Sequence, residues 1–453
     1  LKFFDAVVGG RSVGTPGTVK LMQHMHDKHG VKPWKGLFTQ AQGLASDGFR
    51  VSPRLASSIA RDQQRLRSRE DTLRYFFDRQ GAPLQAGSTL KNPAYAHTLE
   101  RLANEGNSAF YTGSIGADIV AKVQSDAQNP GMLSTEDLAL YKVIERPAVC
   151  APYLDYSVCG MGPPSSGALS VGQILGISSH FDLKQLGPEN STSWQIIGDA
   201  SRLAFADRAR YMADSDYVPM PQGLLDPDYL AARADLITPG AALSASAVSA
   251  GEPNWGQKKQ IAYADDVSLE LPSTSHFVIV DSQGNVLSMT TTIENGFGSR
   301  LMSNGFLLNN ELTDFSFKTH SDGYPIANRL EPGKRPRSSM APSIVMRDAK
   351  PVLAIGSPGG SRIIGYVANS LISLLTWELP LQEALNAPHL INRFGTYDLE
   401  ANSNAENLQR ELEQMGFNTK IRDLNSGLHA VQITPQGLVG AADPRREGTV
   451  MGE

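Results

Sequence analysis

"LPSTSHFVIVDSQGNVLSMTTT", residues 271–292, marks the point where the character of the chain changes. The runs HFVIV and VLSMTTT flank Ser282-Gln283-Gly284-Asn285, which reads as a β-hairpin with a glycine-containing turn. Its first strand opens on a bare Ser-Thr-Ser, and Thr274 sits at the very edge. An internal threonine hydroxyl is a poor nucleophile, because its pKa lies far above neutrality. If the Ser273–Thr274 bond is broken, the new α-amino group, with a reference pKa near ~8, stands beside that hydroxyl. Thr274 then carries nucleophile and base in one residue. The same hydroxyl can make the cut by attacking the Ser273 carbonyl through a strained turn, giving a hydrolysable ester. Ser/Thr-rich strand starts are more often caps or turns than nucleophiles, so the rest of the chain has to decide.

Upstream, residues 15 to about 145 are helical in pattern. "TPGTVKLMQHMHDKHG" has Thr15 and Pro16 as a start signal and Gly30 as a stop. "SPRLASSIARDQQRLRSREDTLRYFFDRQG" reads as one long amphipathic run closed by Gly81, and "NPAYAHTLERLANEG" and "GSIGADIVAKVQSDA" follow. Residues 240–272 are small, polar and weakly periodic, and are expected to form a mobile surface linker. Downstream, "APSIVMRDAKPVLAIGSPGG" and "LHAVQITPQGLVGAADPRREG" are further hairpins, the latter turning at Thr434–Gly437. Strand pairs beside helices predict antiparallel sheets covered by helical layers, not a doubly wound parallel sheet.

Composition excludes several classes. The 453 residues are 41% hydrophobic and 19% charged with a formal net charge of −5, as in ordinary globular proteins. The basic residues are interspersed with acidic ones, which argues against a nucleic-acid partner. No apolar run reaches the ~20 residues that span a bilayer. The opening "LKFFDAVVGG" has neither an initiator Met nor a signal-peptide pattern, so a processed or truncated start is expected. Cys150 and Cys159, the only cysteines, flank a turn at Tyr153–Tyr156 and fall opposite each other in that register. A disulfide and two buried free thiols fit this spacing equally well.

Other chemistry is set aside on spacing. His24, His26 and His29 in "HMHDKHG" lie two and three apart without an acidic cluster, which suits a solvated helix face better than a metal site. There is no G-x-S-x-G elbow, S-x-x-K or P-loop. "GSPGGS", residues 356–361, follows a strand and precedes a helix. It is either a tight turn or a place where the Gly359 and Gly360 N–H groups face a developing oxyanion.

Taken together, the blocks "SVGTPGTV", "GFRVSPRLA", "GMLSTEDLALYKV", "GPPSSGALSVGQIL" and "RLAFADRARYMAD" resemble the large subunit of the γ-glutamyltranspeptidase family of N-terminal-nucleophile hydrolases. "TSHFVIVDSQGNVLSMTTTI", "FGSRLMSNGFLLNNELTDFS", "GKRPRSSMAPSIV", "GSPGGSRII" and "AADPRREG" resemble its small subunit. The resemblance implies an α+β fold, a four-layer αββα sandwich, with a large fragment 1–273 and a small fragment 274–453 held together as a heterodimer. It implies an autocatalytically cleaved zymogen in which Ser273–Thr274 is the cleavage site and Thr274 the nucleophile. Thr292 matches the second threonine near the nucleophile's amino group, and Gly359 and Gly360 match the oxyanion-hole backbone. Ser338 and Ser339 match the pair that holds a γ-glutamyl α-carboxylate; Glu311 and Asp314 match the acidic pair that receives its α-ammonium.

Glu294 departs from the family, standing where many members have Asn among the ammonium contacts. The connection "FKTHSDGYPIANRLEPG" looks shorter than the lid of the best-known bacterial members. The family's carboxylate-binding Arg belongs to a glycine-rich N-terminal segment that would lie before residue 1, so the resemblance assigns no such Arg here. The implied activity is γ-glutamyl transfer from glutathione-like compounds to water or an amine, without metal or organic cofactor, in a periplasmic or secreted protein, with a cytoplasmic location as the alternative. The competing expectations are an acylase for a glutaryl, cephalosporin-type or oxamate-type amide, and a non-catalytic binding protein on the same scaffold.

Overall fold

Helical periodicity through the first 145 residues and strand alternation after Thr274 build different kinds of core, and the computed structural model keeps them in separate compact units. It describes residues 3–268 and 273–452. One unit comprises Leu1–Glu145 with Thr292–Thr313, the other Arg146–Thr291 with Asp314–Glu453.

In the smaller unit, helix α1 (Thr18–His29) stops where the Gly30 N–H bonds the His26 carbonyl at 2.7 Å. Its His24 and His26 bond Glu145 and the Lys32 carbonyl on the surface, as a solvated face requires. Helix α2 (Pro53–Leu66) starts at Ser52, whose hydroxyl accepts from Leu55 N–H at 3.1 Å, with Pro53 at the first helical position. The single run expected from Ser52 to Gly81 is in fact two helices, α3 being Glu70–Phe76. Ser68 Oγ donates to the Arg65 carbonyl and Thr72 Oγ1 to the Leu66 carbonyl, taking acceptors that a continuing helix would use. Arg69 turns aside to Asp126 at 3.0 Å. Helices α4 (Pro93–Glu105) and α5 (Ser114–Gln124) pack Leu99, Leu102, Ile115, Ile119 and Val123 against Leu301 and Leu308. Arg300, 2% exposed, ties the returning segment down, its Nε on Asp62 at 2.8 Å and its Nη2 on Asn295 at 2.6 Å.

The larger unit is built on a six-stranded antiparallel sheet. Its strands are β1 (Val149–Tyr153), β2 (Tyr156–Gly160), β5 (Ser343–Arg347), β6 (Lys350–Gly356), β7 (His429–Thr434) and β8 (Gly437–Ala442), in the order β8-β7-β6-β5-β2-β1. The hairpin of β3 (Ser275–Val280) and β4 (Val286–Thr291) packs on β6 and β7. Helices α6 (Gly167–Ser178), α7 (Ser191–Tyr211) and α8 (Arg362–Leu375) supply the helical cover. Successive strand side chains point to opposite faces, and Leu353, Ala354, Ile355 and Gly356 of β6 are all buried, so this strand is covered on both sides. Of the two alternatives for the cysteines, the structure contains the disulfide: Cys150 and Cys159 are directly paired across β1–β2 and bonded.

The expected mobile linker is corrected by the packing. Residues 240–268 have no helix or strand, yet Trp255 and Tyr263 are buried with Tyr211 and Met220, and Asp266 pairs with Arg337 at 3.0 Å. Most of this stretch does lie on the surface, and what the weak periodicity hid is its anchoring at a few buried positions along an irregular backbone. Residues 269–272 lie outside the described residues. Among the described residues no helix is long and apolar enough to cross a membrane.

Candidate active site

Thr274 immediately precedes β3 and has φ 140, in the region that favours glycine. For a β-branched residue this is a strained backbone, of the kind that costs ~1–3 kcal/mol and persists only where its surroundings impose it. Arg446 imposes part of it, donating from Nη1 to the Thr274 carbonyl at 3.1 Å. The alternation of β3 turns His276 inward, 5% exposed, with its Nδ1 bonded to Thr290 Oγ1 at 2.8 Å. The His276 ring lies against Gly356, where an added Cβ would come within 2.3 Å of it. Burial, with the neighbouring His429 second, pushes its pKa down to about 3, so the ring is neutral at working pH.

Strand β6 ends at Gly356 and opens into Ser357-Pro358-Gly359-Gly360 before α8. Gly359 has φ 144 and Gly360 φ 60, and a Cβ on Gly359 would stand 2.7 Å from the Tyr366 ring. Glycine is therefore demanded here by conformation and by space. Among the described residues, nothing accepts a hydrogen bond from either amide. A pair of unbonded amides beside a helix N-terminus is an arrangement suited to a developing negative charge.

Ser338 and Ser339 precede β5. The Ser338 carbonyl accepts from Ser166 N–H at 2.8 Å, and Ser338 N–H donates to the Pro164 carbonyl at 3.1 Å. The Asp314 carbonyl accepts from Asn328 Nδ2 at 2.8 Å, and Asn328 also bonds Asp266.

The remaining expected residues belong to the smaller unit. Thr292 Oγ1 accepts from the Glu294 N–H at 2.9 Å. Glu294 is 6% exposed at φ 69 and takes a hydrogen bond on its carboxylate from Asn310 Nδ2. Asn310 Oδ1 in turn accepts from Asn295 N–H at 2.9 Å, and Asn309 Oδ1 from Glu311 N–H at 3.0 Å. Burial first, and the Glu294 carboxylate second, push the Glu311 carboxyl up to about 8. Thr292, Glu294 and Glu311 are thus held in one hydrogen-bonded segment, and its two carboxyl groups resist ionising together.

Sequence reasoning missed three residues. Arg208, inside "RLAFADRARYMAD", is 1% exposed and donates to Ser339; Ser166 bonds the Ser338 carbonyl; Arg446, inside "AADPRREG", holds Thr274. The matching blocks contained all three, but nothing local distinguishes a buried arginine from a surface one.

A threonine at the strained start of a hairpin packed on a helix-covered sheet is the arrangement of the N-terminal-nucleophile hydrolases, and the fold is of that class. The Gamma-glutamyltranspeptidase family profile matches residues 2–453. The glutathione hydrolase proenzyme of Escherichia coli (strain K12) is 34% identical over 445 residues, 95% of this chain and 73% of that protein. The acylase ACY 1 proenzyme of Pseudomonas sp. (strain SE83) is 31% identical over 449 residues, 98% of this chain and 75% of that protein. A cephalosporin acylase from Bacillus halodurans superposes with a TM-score of 0.84 at 22% identity, over 98% of this chain and 79% of that one, a likeness of fold. The chain belongs to the γ-glutamyltranspeptidase family and is an enzyme of that family.

Proposed function

We propose that the protein is a self-processing γ-glutamyl hydrolase/transferase with Thr274 as its nucleophile. The observation that carries this reading is the backbone of Thr274, held at φ 140 with its carbonyl fixed by Arg446. In the precursor, Thr274 Oγ attacks the Ser273 carbonyl, the peptide C–N bond breaks, and an ester forms with release of the Thr274 α-amine. Water hydrolyses the ester, leaving a Ser273 carboxylate and restoring the hydroxyl. Fragments 1–273 and 274–453 then stay associated.

In turnover, the α-amine takes the Thr274 hydroxyl proton as Oγ attacks the γ-amide carbonyl. The Gly359 and Gly360 amides stabilise the tetrahedral oxyanion, removal of one such donor costing ~10²–10³ in rate. The proton passes to the departing amine, and a γ-glutamyl ester remains on Thr274. Water or an amine acceptor then takes the acyl group and returns the proton. Ser338 and Ser339 hold the α-carboxylate, while Glu294, Glu311 and Asp314 receive the α-ammonium; Thr292 supports the amine. The reaction uses no metal or organic cofactor. The Cys150–Cys159 disulfide favours an oxidising compartment, periplasmic or secreted.

A second reading keeps the mechanism and changes the acyl group. Glu294 in place of the Asn that many members carry, and an acylase relative at 31% identity, favour an acylase, for which a glutaryl or cephalosporin-type amide is the candidate substrate. Competing γ-glutamyl and glutaryl anilides in one reaction separate the two. The leading reading expects the γ-glutamyl compound to be consumed first, because buried carboxylates without an ammonium partner are costly. Preferential release from the glutaryl compound by cleaved protein would sink it.

A further inference from the structure

The register of the six-stranded sheet brings three chain segments to one edge. Gly356, the last residue of β6, pairs with His429, the first of β7, and His429 pairs with Ala442, the last of β8. The turn carrying Gly359 and Gly360, the approach to β7 and the exit from β8 therefore lie together, and one side chain joins them to Thr274. Arg446 Nη1 donates to the Thr274 carbonyl at 3.1 Å, its Nε to Asn425 Oδ1 at 2.9 Å and its Nη2 to the Asn425 carbonyl at 3.0 Å. A guanidinium presents its donors in one plane, so gripping Asn425 twice sets the direction of the third bond.

The stem of Arg446 is seated on Gly427. A Cβ there would stand 2.7 Å from Arg446 Cδ and 2.8 Å from Pro358 Cγ, although the φ of Gly427 lies outside the range that favours glycine. Space, and not conformation, demands glycine at this position. Gly427 N–H also donates to Ser357 Oγ at 3.3 Å, and Ser357 Oγ donates to the Pro358 carbonyl at 2.8 Å. Thr274 is thus linked through Arg446 and Gly427 to the turn that presents the Gly359 and Gly360 amides.

The grip is on the side of Thr274 that cleavage spares. The Ser273–Thr274 bond precedes the Thr274 α-carbon, whereas the carbonyl held by Arg446 follows it. Cutting removes the covalent tether on one side of a residue whose hydroxyl and amine must both stay aimed. We propose that Arg446 is a positioning residue of the cleaved enzyme, holding the new N-terminal Thr274 in register with the turn that carries Gly359 and Gly360. The inference rests on the nucleophile reading above and adds the residue that keeps the nucleophile in place once its chain is cut.

The test is steady-state hydrolysis of γ-glutamyl-p-nitroanilide by protein already cleaved at Thr274. Arg446→Ala should lower kcat about 10- to 100-fold with KM little changed, the range for a hydrogen bond from a charged group when its loss falls on the reacting residue and not on substrate binding. Guanidinium chloride at a non-denaturing concentration should restore part of the lost kcat, because the place vacated by this half-buried side chain can take the free ion. Gly427→Ala should lower kcat as well, and guanidinium should not restore it, since Arg446 is displaced but still present. A cleaved Arg446→Ala protein with wild-type kcat, or with a loss that guanidinium leaves untouched, overturns the proposal. If Arg446→Ala does not cleave with or without guanidinium, Gly427→Ala decides: a wild-type kcat overturns the proposal, and a lowered kcat that guanidinium does not restore upholds it. A wild-type protein that is active while uncut at Thr274 refutes the nucleophile reading itself, whatever Arg446 does.

Discussion

Replacing Thr274 by alanine and by glycine separates the strain at this residue from its chemistry. Both variants lack the hydroxyl, so both should remain uncut and can be compared as intact chains. Alanine keeps the penalty for φ 140, ~1–3 kcal/mol for an unfavourable backbone. Glycine removes that penalty but gives back roughly 0.5–1 kcal/mol through its greater freedom in the unfolded chain. The Thr274→Gly protein should therefore be more stable than Thr274→Ala by roughly 0.5–2 kcal/mol. At an ordinary extended strand start the order would be reversed, so the sign alone is diagnostic. Urea midpoints of the two uncut proteins, with matching slopes, give the difference directly. If Thr274→Ala proves as stable as Thr274→Gly or more so, the residue is not strained, and strain cannot drive cleavage. In the wild type the same ~1–3 kcal/mol, released on cleavage, is worth about 5- to 150-fold in its rate.

Gly359→Ala should lower kcat on a γ-glutamyl anilide by about 10²–10³, because the added methyl meets Tyr366 and displaces an oxyanion donor; steady-state kinetics on cleaved protein check this. The raised Glu311 pKa gives a signed pH effect: its contribution to stability is complete below the ordinary carboxyl range near 4.5 and is lost as pH rises through about 8. Glu311→Gln should therefore gain stability relative to wild type between pH 5 and pH 9, approximate working limits for urea titrations, and a constant difference would contradict the assignment. Denatured protein without reductant should show no reactive thiols, and Cys150→Ser should cost about 2.5 kcal/mol for opening so short a loop.

Much of the fold could be read in advance because its signals are local. The turns at Ser282–Asn285 and Thr434–Gly437, the Ser52-Pro53 and Asn92-Pro93 helix starts and the facing cysteines all depend on neighbours within a few residues. What failed was decided at a distance, wholly or in part. The interruption between α2 and α3 combines local Ser68 and Thr72 bonds with the distant pairing of Arg69 and Asp126, and the course of residues 240–268 depends on Trp255 and Tyr263 finding Tyr211 and Met220. At the site, spacing and resemblance singled out Thr274, Gly359 and Gly360, and the structure gives each of them a positive φ. The contact of Arg208 with Ser339 was not legible, because it forms only where α7 meets the loop ahead of β5. The strain at Thr274 was likewise suspected from chemistry but became visible only as a backbone angle.

The central claim is that Thr274 becomes an N-terminus, and intact mass with N-terminal sequencing of the full-length protein after prolonged incubation tests it most directly. Two fragments, the smaller beginning Thr-Ser-His-Phe, are the predicted result. A single uncut chain that nevertheless hydrolyses γ-glutamyl anilides would contradict it, since catalysis would then proceed without the Thr274 amine.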